Sequence, residues 1–495
     1  MSMTTSPLEE SVAGEAGFVI EAKGYLLALE GLPSARVNSI IVNAKGQRAM
    51  VTALHEDSVQ ALLLDPGSPE AGDRFMAYKG GIRYSFGDHL FGRTLNVLGE
   101  PIDGGRPLPE ATVELDLEAS APTMSQRAPM VEQLITGMPV VDVLVPMAKG
   151  QRQLILGPLS SGKNQFIESV FSNLGKEGVV CIYAFIGRPV EYVEEVIGRI
   201  FAEGGNKNVV AIASFSHDPA PMISLMPTVA LDLAEFFSAE GKDVVVVLDD
   251  LGTHAKYLRE IALLSGEIPG RESYPGDMFY QQARILERGG QFNDGHSKSI
   301  TVLPVLETNL EDLSNLVSTN LISATDGQLF FSSLLHSEGV FPAVVPSQSV
   351  TRVGRNSQSK LSTQLSLRVL ALLSEHERQQ RYSEFGTQLS EKTRTIIAQG
   401  EIAKVLLNQK QTTALSIESQ IILLSLVFTD FFKDKDVAFA RRSRELIVKA
   451  VENPKKDASV EAVVAAATRG SVSLDQFLKK LSAVVPYFLS VCQQP

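Results

Sequence analysis

Arg152–Asn173, RQLILGPLSSGKNQFIESVFSN, is the stretch whose reading decides the fold. Gln153–Leu156 is a short apolar run and reads as a buried strand. Gly157, Pro158, Leu159, Ser160, Ser161, Gly162 and Lys163 follow it. Phe166, Ile167, Val170, Phe171 and Leu174 then fall at helical spacing. Strand, glycine loop, lysine and helix make a P-loop. Its glycines let backbone N–H groups converge on a polyphosphate, the helix N-terminus adds positive potential, and the lysine reaches the outer phosphates. The residue after the lysine is normally Ser or Thr, whose hydroxyl sits on Mg²⁺. Here it is Asn164. Its amide oxygen suits a hard cation, but the side chain is longer and differently placed. The phosphate cradle is thus predicted whole and the metal side altered.

Working outward, 495 residues allow several domains. A hydrophobic share of 44% with 21% charged residues is ordinary for a globular protein. The net charge of −12 argues against nucleic acid as a partner, because phosphate-backbone binding leaves a basic footprint. Two cysteines, Cys181 and Cys492, and seven scattered histidines give no zinc spacing and no disulfide framework, which fits a reducing compartment. No apolar run is expected to approach the ~18–20 residues that cross a bilayer. Residues 1–16 are polar and acidic and read as a tail, not a targeting segment.

Residues 17–87 carry short alternating runs (FVIEA, YLLALEG, NSIIVNA, RAMVTAL, VQALLLD) broken by turn residues, the signature of a small β-barrel. Gly92–Pro109 is a turn-rich connector. Strand candidates then follow at Leu154–Leu156, Val179–Ile186, Val209–Ala213, Val244–Leu248, Ile300–Leu306 and Gln328–Phe331, with helical stretches between most of them. That alternation predicts a mostly parallel sheet in a P-loop α/β domain over 88–358. From 359 to 495 the pattern is all helical, with Leu365–Arg381, Thr393–Leu407, Ile417–Phe432, Val437–Val451, Val460–Thr468 and Leu474–Val491. The fold class expected is therefore a β-barrel, a P-loop α/β domain and a helical bundle.

A second nucleotide signal is VVVVLDDLGTHA, Val244–Ala255, a buried strand ending in Asp249 and Asp250. A carboxylate there binds Mg²⁺ through water in P-loop nucleotidases, although strand-end Asp also caps helices. A hydrolase further needs a group to activate water. Ring-shaped ATPases carry a Glu after the next strand, and here the residue following Gly187 is Arg188. An arginine accepts no proton from water. Glu191, Glu194 and Glu195 sit at the wrong offset and read as the start of a solvated helix. The cradle is expected to bind nucleotide without hydrolysing it.

The order barrel, P-loop domain, helical bundle resembles the alpha and beta subunits of F-type ATP synthase. The strings PGRESYPGDMFYQQARILERGG (Pro269–Gly290), STNLISATDGQLFF (Ser318–Phe331) and SVTRVGRNSQ (Ser349–Gln358) carry the resemblance. LLNQKQTTALSIESQIILL (Leu406–Leu424) is similar to alpha rather than beta. The resemblance implies a regulatory, non-catalytic alpha-type subunit binding ATP or ADP at Gly157–Asn164, with Gln409 and Gln411 near the adenine and Asp249 and Asn164 toward any Mg²⁺. It implies that Arg352, with Ser349 shaping its loop, completes the catalytic site of a beta-type neighbour in an alternating hexamer. A guanidinium is planar and permanently charged, which suits contact with transferring phosphoryl oxygens. The resemblance further implies a central gamma-type shaft, a delta-type stator subunit, an ion-transporting membrane sector, and a peripheral position on the cytoplasmic face of the bacterial inner membrane. The chain departs from the alpha pattern at GPLSSGKN, at Arg188 where alpha usually has Gln, at Phe341 where it has Arg, and in its short N-terminal segment. Alternative readings are an alpha-like subunit of a repurposed rotary ATPase, a self-assembling secretion ATPase, or an RNA-translocating hexamer. The secretion class calls for a carboxylate at 188 and a hydroxyl at 164, and the RNA class for a basic, aromatic barrel.

Overall fold

The computed structural model describes residues 11–78, 81–111, 113–117, 119–202, 207–293, 295–296, 298–309, 313–383, 391–453 and 458–493. They fall into two compact units. One takes the described residues within 1–128, 175–307 and 311–324, the other those within 129–174, 308–310 and 325–495. The P-loop domain expected over 88–358 is thus shared between the two units.

The first unit opens with a closed barrel of order β1-β2-β5-β4-β3-β6, formed by Ser11–Lys23, Leu26–Glu30, Ile40–Asn43, Arg48–Leu54, Val59–Leu63 and Arg74–Tyr78. Alternation puts Val19, Leu27, Leu29, Ile41, Val51, Ala61 and Phe75 inside it. β1 starts at Ser11, within the segment read as a tail. The other part of 1–16 lies outside the described residues. β7 (Arg83–Tyr84) pairs with β9 (Val113–Glu114), and β8 (Thr94–Leu95) between them runs parallel to a later strand. In the second unit β10 (Gln133–Leu134) pairs with β11 (Met147–Ala148).

β12 (Gln153–Gly157) enters the P-loop and α1 (Lys163–Lys176) leaves it. In the first unit β13 (Val180–Arg188), β14 (Val209–Phe215), β15 (Val244–Asp249) and β16 (Ile300–Glu307) join β8 in the parallel order β8-β14-β13-β15-β16. Val244–Asp249 is buried at every position, as a strand covered on both faces requires. The covering helices of this unit are α2 (Val190–Ala202), α3 (Ala220–Ala239), α4 (Leu251–Leu264), α5 (Met278–Leu286) and α6 (Leu316–Ala324). α3 corrects the expectation about apolar runs. Its 20 residues contain an 18-residue window with a mean hydropathy of 1.3, enough to cross a membrane by length and composition, yet 72% of that window is buried inside the fold, as in a core helix.

In the second unit β17 (Gly327–Phe330) runs parallel to β12, and β18 (Val350–Thr351) runs antiparallel to β17, with α7 (Ser333–Ser337) between them in sequence. The helical region is α8 (Lys360–Ser383), α9 (Glu391–Leu407), α10 (Ile417–Ser425), α11 (Val437–Glu452), α12 (Ala458–Arg469) and α13 (Leu474–Gln493). The single helix expected over Ile417–Phe432 ends at Ser425. Two 3₁₀ turns follow it because Thr429 is extended and its hydroxyl caps Phe431 N. The buried Asp142 ties α10 to the start of this unit. It accepts from Thr136 N at 2.8 Å, Gly137 N at 2.8 Å and Gln420 Nε2 at 2.8 Å. Burial pushes its carboxyl up to about 6 against these donors.

Candidate functional site

The P-loop rests on local packing in the second unit. α1 is fixed by Phe166 against Phe331, the ring centroids 5.2 Å apart. Ser160 and Gly162 take left-handed φ of 56° and 82°, the kind of alternation that anion-binding nests use. A side chain at Gly162 would come within 2.9 Å of His336 Nδ1, so α7 closes over the loop. Spacing could not show this histidine. The buried Lys163 folds back, and its Nζ donates to Gly157 O at 2.8 Å and Pro158 O at 2.6 Å. Ser161 Oγ donates to Pro158 O at 2.7 Å, while Leu159 and Ser160 face outward. Asn164 is the second residue of the helix, half-buried. These residues fit a polyphosphate: the lysine rests on carbonyl oxygens of its own loop and, at 3.4 Å, on the Ser161 hydroxyl, and phosphate oxygens are stronger acceptors for a cation.

Gln409 and Gln411 lie in the loop after α9. Gln409 is buried. Its N–H donates to Phe341 O at 2.8 Å and its Nε2 to Thr413 O at 2.8 Å, while its Oε1 has no partner among the described residues. Gln411 Nε2 reaches Glu168 Oε2 on α1 at 3.2 Å, and Gln411 O accepts from Ser169 Oγ at 3.0 Å. The structure thus brings the glutamine loop to Phe341 and to the P-loop helix.

Asp249, in the first unit, sits among different partners. β13 and β15 run in parallel register with Phe185 opposite Asp249. A bulge between Phe185 and Arg188 shifts the strand end, and Gly187 at its centre takes φ 62° with no room for a side chain against Tyr257. Bulges re-aim side chains at strand ends. Here Arg188 Nη2 donates to Asp249 Oδ1 and, at 3.0 Å, to Glu307 Oε1. Asp249 Oδ2 accepts from Tyr192 at 3.0 Å and Tyr183 at 3.3 Å. The Arg188 guanidinium also lies over the Tyr192 ring, 5.2 Å from its centroid. Burial works against its charge, but Asp249, Asp250 and Glu307 outweigh that and hold the proton more firmly than usual. Asp250 caps α4 by accepting from Thr253 N. Glu191, Glu194 and Glu195 lie exposed on α2.

These atoms do not fit Mg²⁺. Both oxygens of the fully buried Asp249 are engaged, one by a permanent cation. Among the described residues, the fully buried side-chain atom of the group without a partner is a donor, Arg188 Nε. Spacing showed only that Arg188 is no base. Its grip on Asp249 depends on two strands distant in sequence.

Arg352 lies beside β18, exposed, its Nη1 on Thr325 O at 3.0 Å. Its loop is braced from beneath. Ser349 Oγ donates to Val345 O at 2.8 Å and accepts from Phe330 N at 3.0 Å. Gly354 lies so close to Pro146 that an added Cβ would sit 1.9 Å from its carbonyl oxygen. Thr351 Oγ1 donates to that same oxygen at 2.8 Å.

Comparison with known proteins gives two family matches. Residues 137–351 match the nucleotide-binding domain of the ATP synthase alpha/beta family, and 358–481 match the C-terminal domain of the ATP synthase alpha/beta chain. The chain is 35% identical over 449 residues to ATP synthase subunit alpha 1 of Dinoroseobacter shibae, covering 90% of this chain and 87% of that one. It is 34% identical to ATP synthase subunit alpha of Caldanaerobacter subterraneus, covering 86% and 85%. The alpha subunit of Haemophilus influenzae is 32% identical, with 86% of each chain covered.

Proposed function

The chain belongs to the ATP synthase alpha/beta family as an alpha-type subunit, and from that premise we propose that it holds ATP or ADP without hydrolysing it and lends Arg352 to a catalytic neighbour. The observation that carries the reading is Arg188. It stands where a water-activating carboxylate would be needed, and it is ion-paired to the carboxylate beside it. Arg188 cannot serve as that general base, because a guanidinium accepts no proton at any working pH. In the other unit Gly157–Lys163 supply the phosphate cradle, and the glutamine loop with Phe341 supplies polar and aromatic surface for a base.

Arg352 supports the second half. Its guanidinium is exposed and holds a single carbonyl, on a loop stiffened by Ser349, Thr351 and Gly354. An exposed, pre-positioned arginine suits insertion into a neighbour's phosphate site. On this reading the chain alternates with beta-type subunits in a hexamer around a gamma-type shaft. A delta-type stator subunit and an ion-transporting membrane sector complete the machine, with the chain peripheral on the cytoplasmic face of a bacterial inner membrane.

The test is reconstitution. The purified chain alone should hydrolyse no ATP above background, and with its beta-type partner it should support turnover. Arg352→Ala should cut that turnover by about 10³-fold or more while the complex still elutes at full size. Robust hydrolysis by the isolated chain, or unchanged turnover in the assembled variant, would overturn the reading.

A further inference from the structure

We propose that this chain takes its nucleotide without a divalent cation, the strand-end carboxylate that would serve a metal being committed instead to Arg188. The inference rests on the nucleotide-binding reading above and deepens it.

The two residue positions that serve Mg²⁺ in P-loop proteins are both changed in chemistry. At the P-loop, Asn164 replaces the hydroxyl that binds the ion. At β15, Asp249 keeps its carboxylate, but both of its oxygens are already engaged. Oδ2 accepts from two phenols, Tyr192 and Tyr183, which is what a carboxylate oxygen's two lone pairs accommodate. Oδ1 is held by Arg188, whose charge does not titrate away. Serving a metal, directly or through its water, would require Asp249 to release a guanidinium while fully buried.

Among the described residues, Asp250 and Glu307 also face this point, so three carboxylates lie around one guanidinium. Neither offers a free oxygen pair. Asp250 is fixed by capping α4, and Glu307 shares the same Arg188 Nη2 at 3.0 Å. Among the described residues no group of three or more His, Cys, Asp or Glu has the arrangement to hold a metal ion. Arg188 Nε, buried and without a partner among the described residues, is a donor and calls for an oxygen, not for a cation.

The experiment is calorimetric titration of the full-length chain with ADP and with ATP, in Mg²⁺ and in EDTA. Wild-type Kd should agree between the two buffers within about twofold. Arg188→Gln, which removes the charge but keeps an amide donor, should make Mg²⁺ tighten binding by about tenfold or more, and adding Asn164→Thr should widen the gap. Arg188→Lys should stay indifferent to the metal. Wild-type binding that weakens tenfold or more in EDTA would overturn this inference and leave the nucleotide-binding reading standing. Absence of binding in both buffers would overturn that reading, and this inference with it. If Arg188→Gln does not fold, the two wild-type titrations still decide.

Discussion

Two buried cations, each at the end of a strand, invite comparison. Lys163 at the end of β12 donates to Gly157 O and Pro158 O, main-chain dipoles of its own loop. Arg188 at the end of β13 donates to Asp249 and Glu307, full charges on the adjacent strand β15 and the next one, β16. Burial is similar, but readiness is not. A cation resting on carbonyls keeps its whole charge and passes to phosphate when phosphate arrives, because charge-assisted bonds are roughly twice as strong as neutral ones. A cation paired with a buried carboxylate is already at its strongest partner, and leaving would strand the carboxylate. What a buried charge faces, more than how deeply it lies, separates a binding group from a structural one.

The largest effect expected from breaking this comparison is on stability. Arg188→Met keeps much of the side chain's bulk and removes its charge. Asp249, with no exposed surface, is then left with two phenols for its charge, and the cost should be roughly 3–5 kcal/mol. Lys163→Met should cost less, about 1 kcal/mol, since water can replace the lysine at the loop carbonyls, yet it should abolish nucleotide binding. Urea denaturation of both variants, alongside titration with ADP, makes the check. Equal destabilisation by the two would erase the distinction.

Next in size is a pH effect at the same strand end. His254 lies on α4, the helix that Asp250 caps, and Nε2 donates to Ser224 O at 3.0 Å. Burial pulls its pKa down to about 4, against smaller upward pulls from Ser224 and Asp250. The folded value is below the unfolded one, so the contribution is complete above about pH 6.5 and is lost as pH falls through about 4. The span amounts to ~3 kcal/mol. Stability of wild type minus that of His254→Gln, measured from about pH 7 to 4, should fall by that order. A difference flat with pH would mean that His254 takes up its proton while folded.

The sequence made one of these two regions legible and not the other. Strand, glycines, lysine and amphipathic helix follow within Gln153–Leu174, and each signal is local. The strands at Val180–Arg188 and Val244–Asp249, and the helices after Lys360, were equally readable from apolar spacing. The Arg188–Asp249 pair needed the strand order and a bulge, neither of which leaves a periodic trace. His336 beside Gly162 and Glu168 under Gln411 were hidden for the same reason. Asp142 gave no signal, as one acid in the apolar run VVDVLV, until the Thr136–Met138 stretch and Gln420, distant in sequence, converged on its two oxygens. Thr429 was misjudged differently. Apolar spacing continues through Phe432, but a threonine hydroxyl competes locally for the backbone and breaks the helix.

The smallest expected effect separates the parts of the clamp. Tyr192→Phe keeps the ring over which Arg188 lies and deletes only the hydroxyl on Asp249 Oδ2. Asp249 keeps Arg188 and the longer bond from Tyr183, so the loss should be about 1–1.5 kcal/mol, the lower end for a bond to a charged acceptor. Burial foremost, and then Asp249, raises the Tyr192 phenol above its ordinary value. Its stabilising bond is therefore present well below the ordinary phenol pKa and is lost only at strongly alkaline pH. The loss should stay constant between about pH 6 and 9, which denaturation at several pH values would read. Nucleotide binding in the variant should remain indifferent to Mg²⁺, because Arg188 still holds the other oxygen. A loss as large as that of Arg188→Met would shift the weight of the clamp to the phenols, and a gain of Mg²⁺ dependence would make Tyr192, not Arg188, the group that keeps Asp249 from a metal.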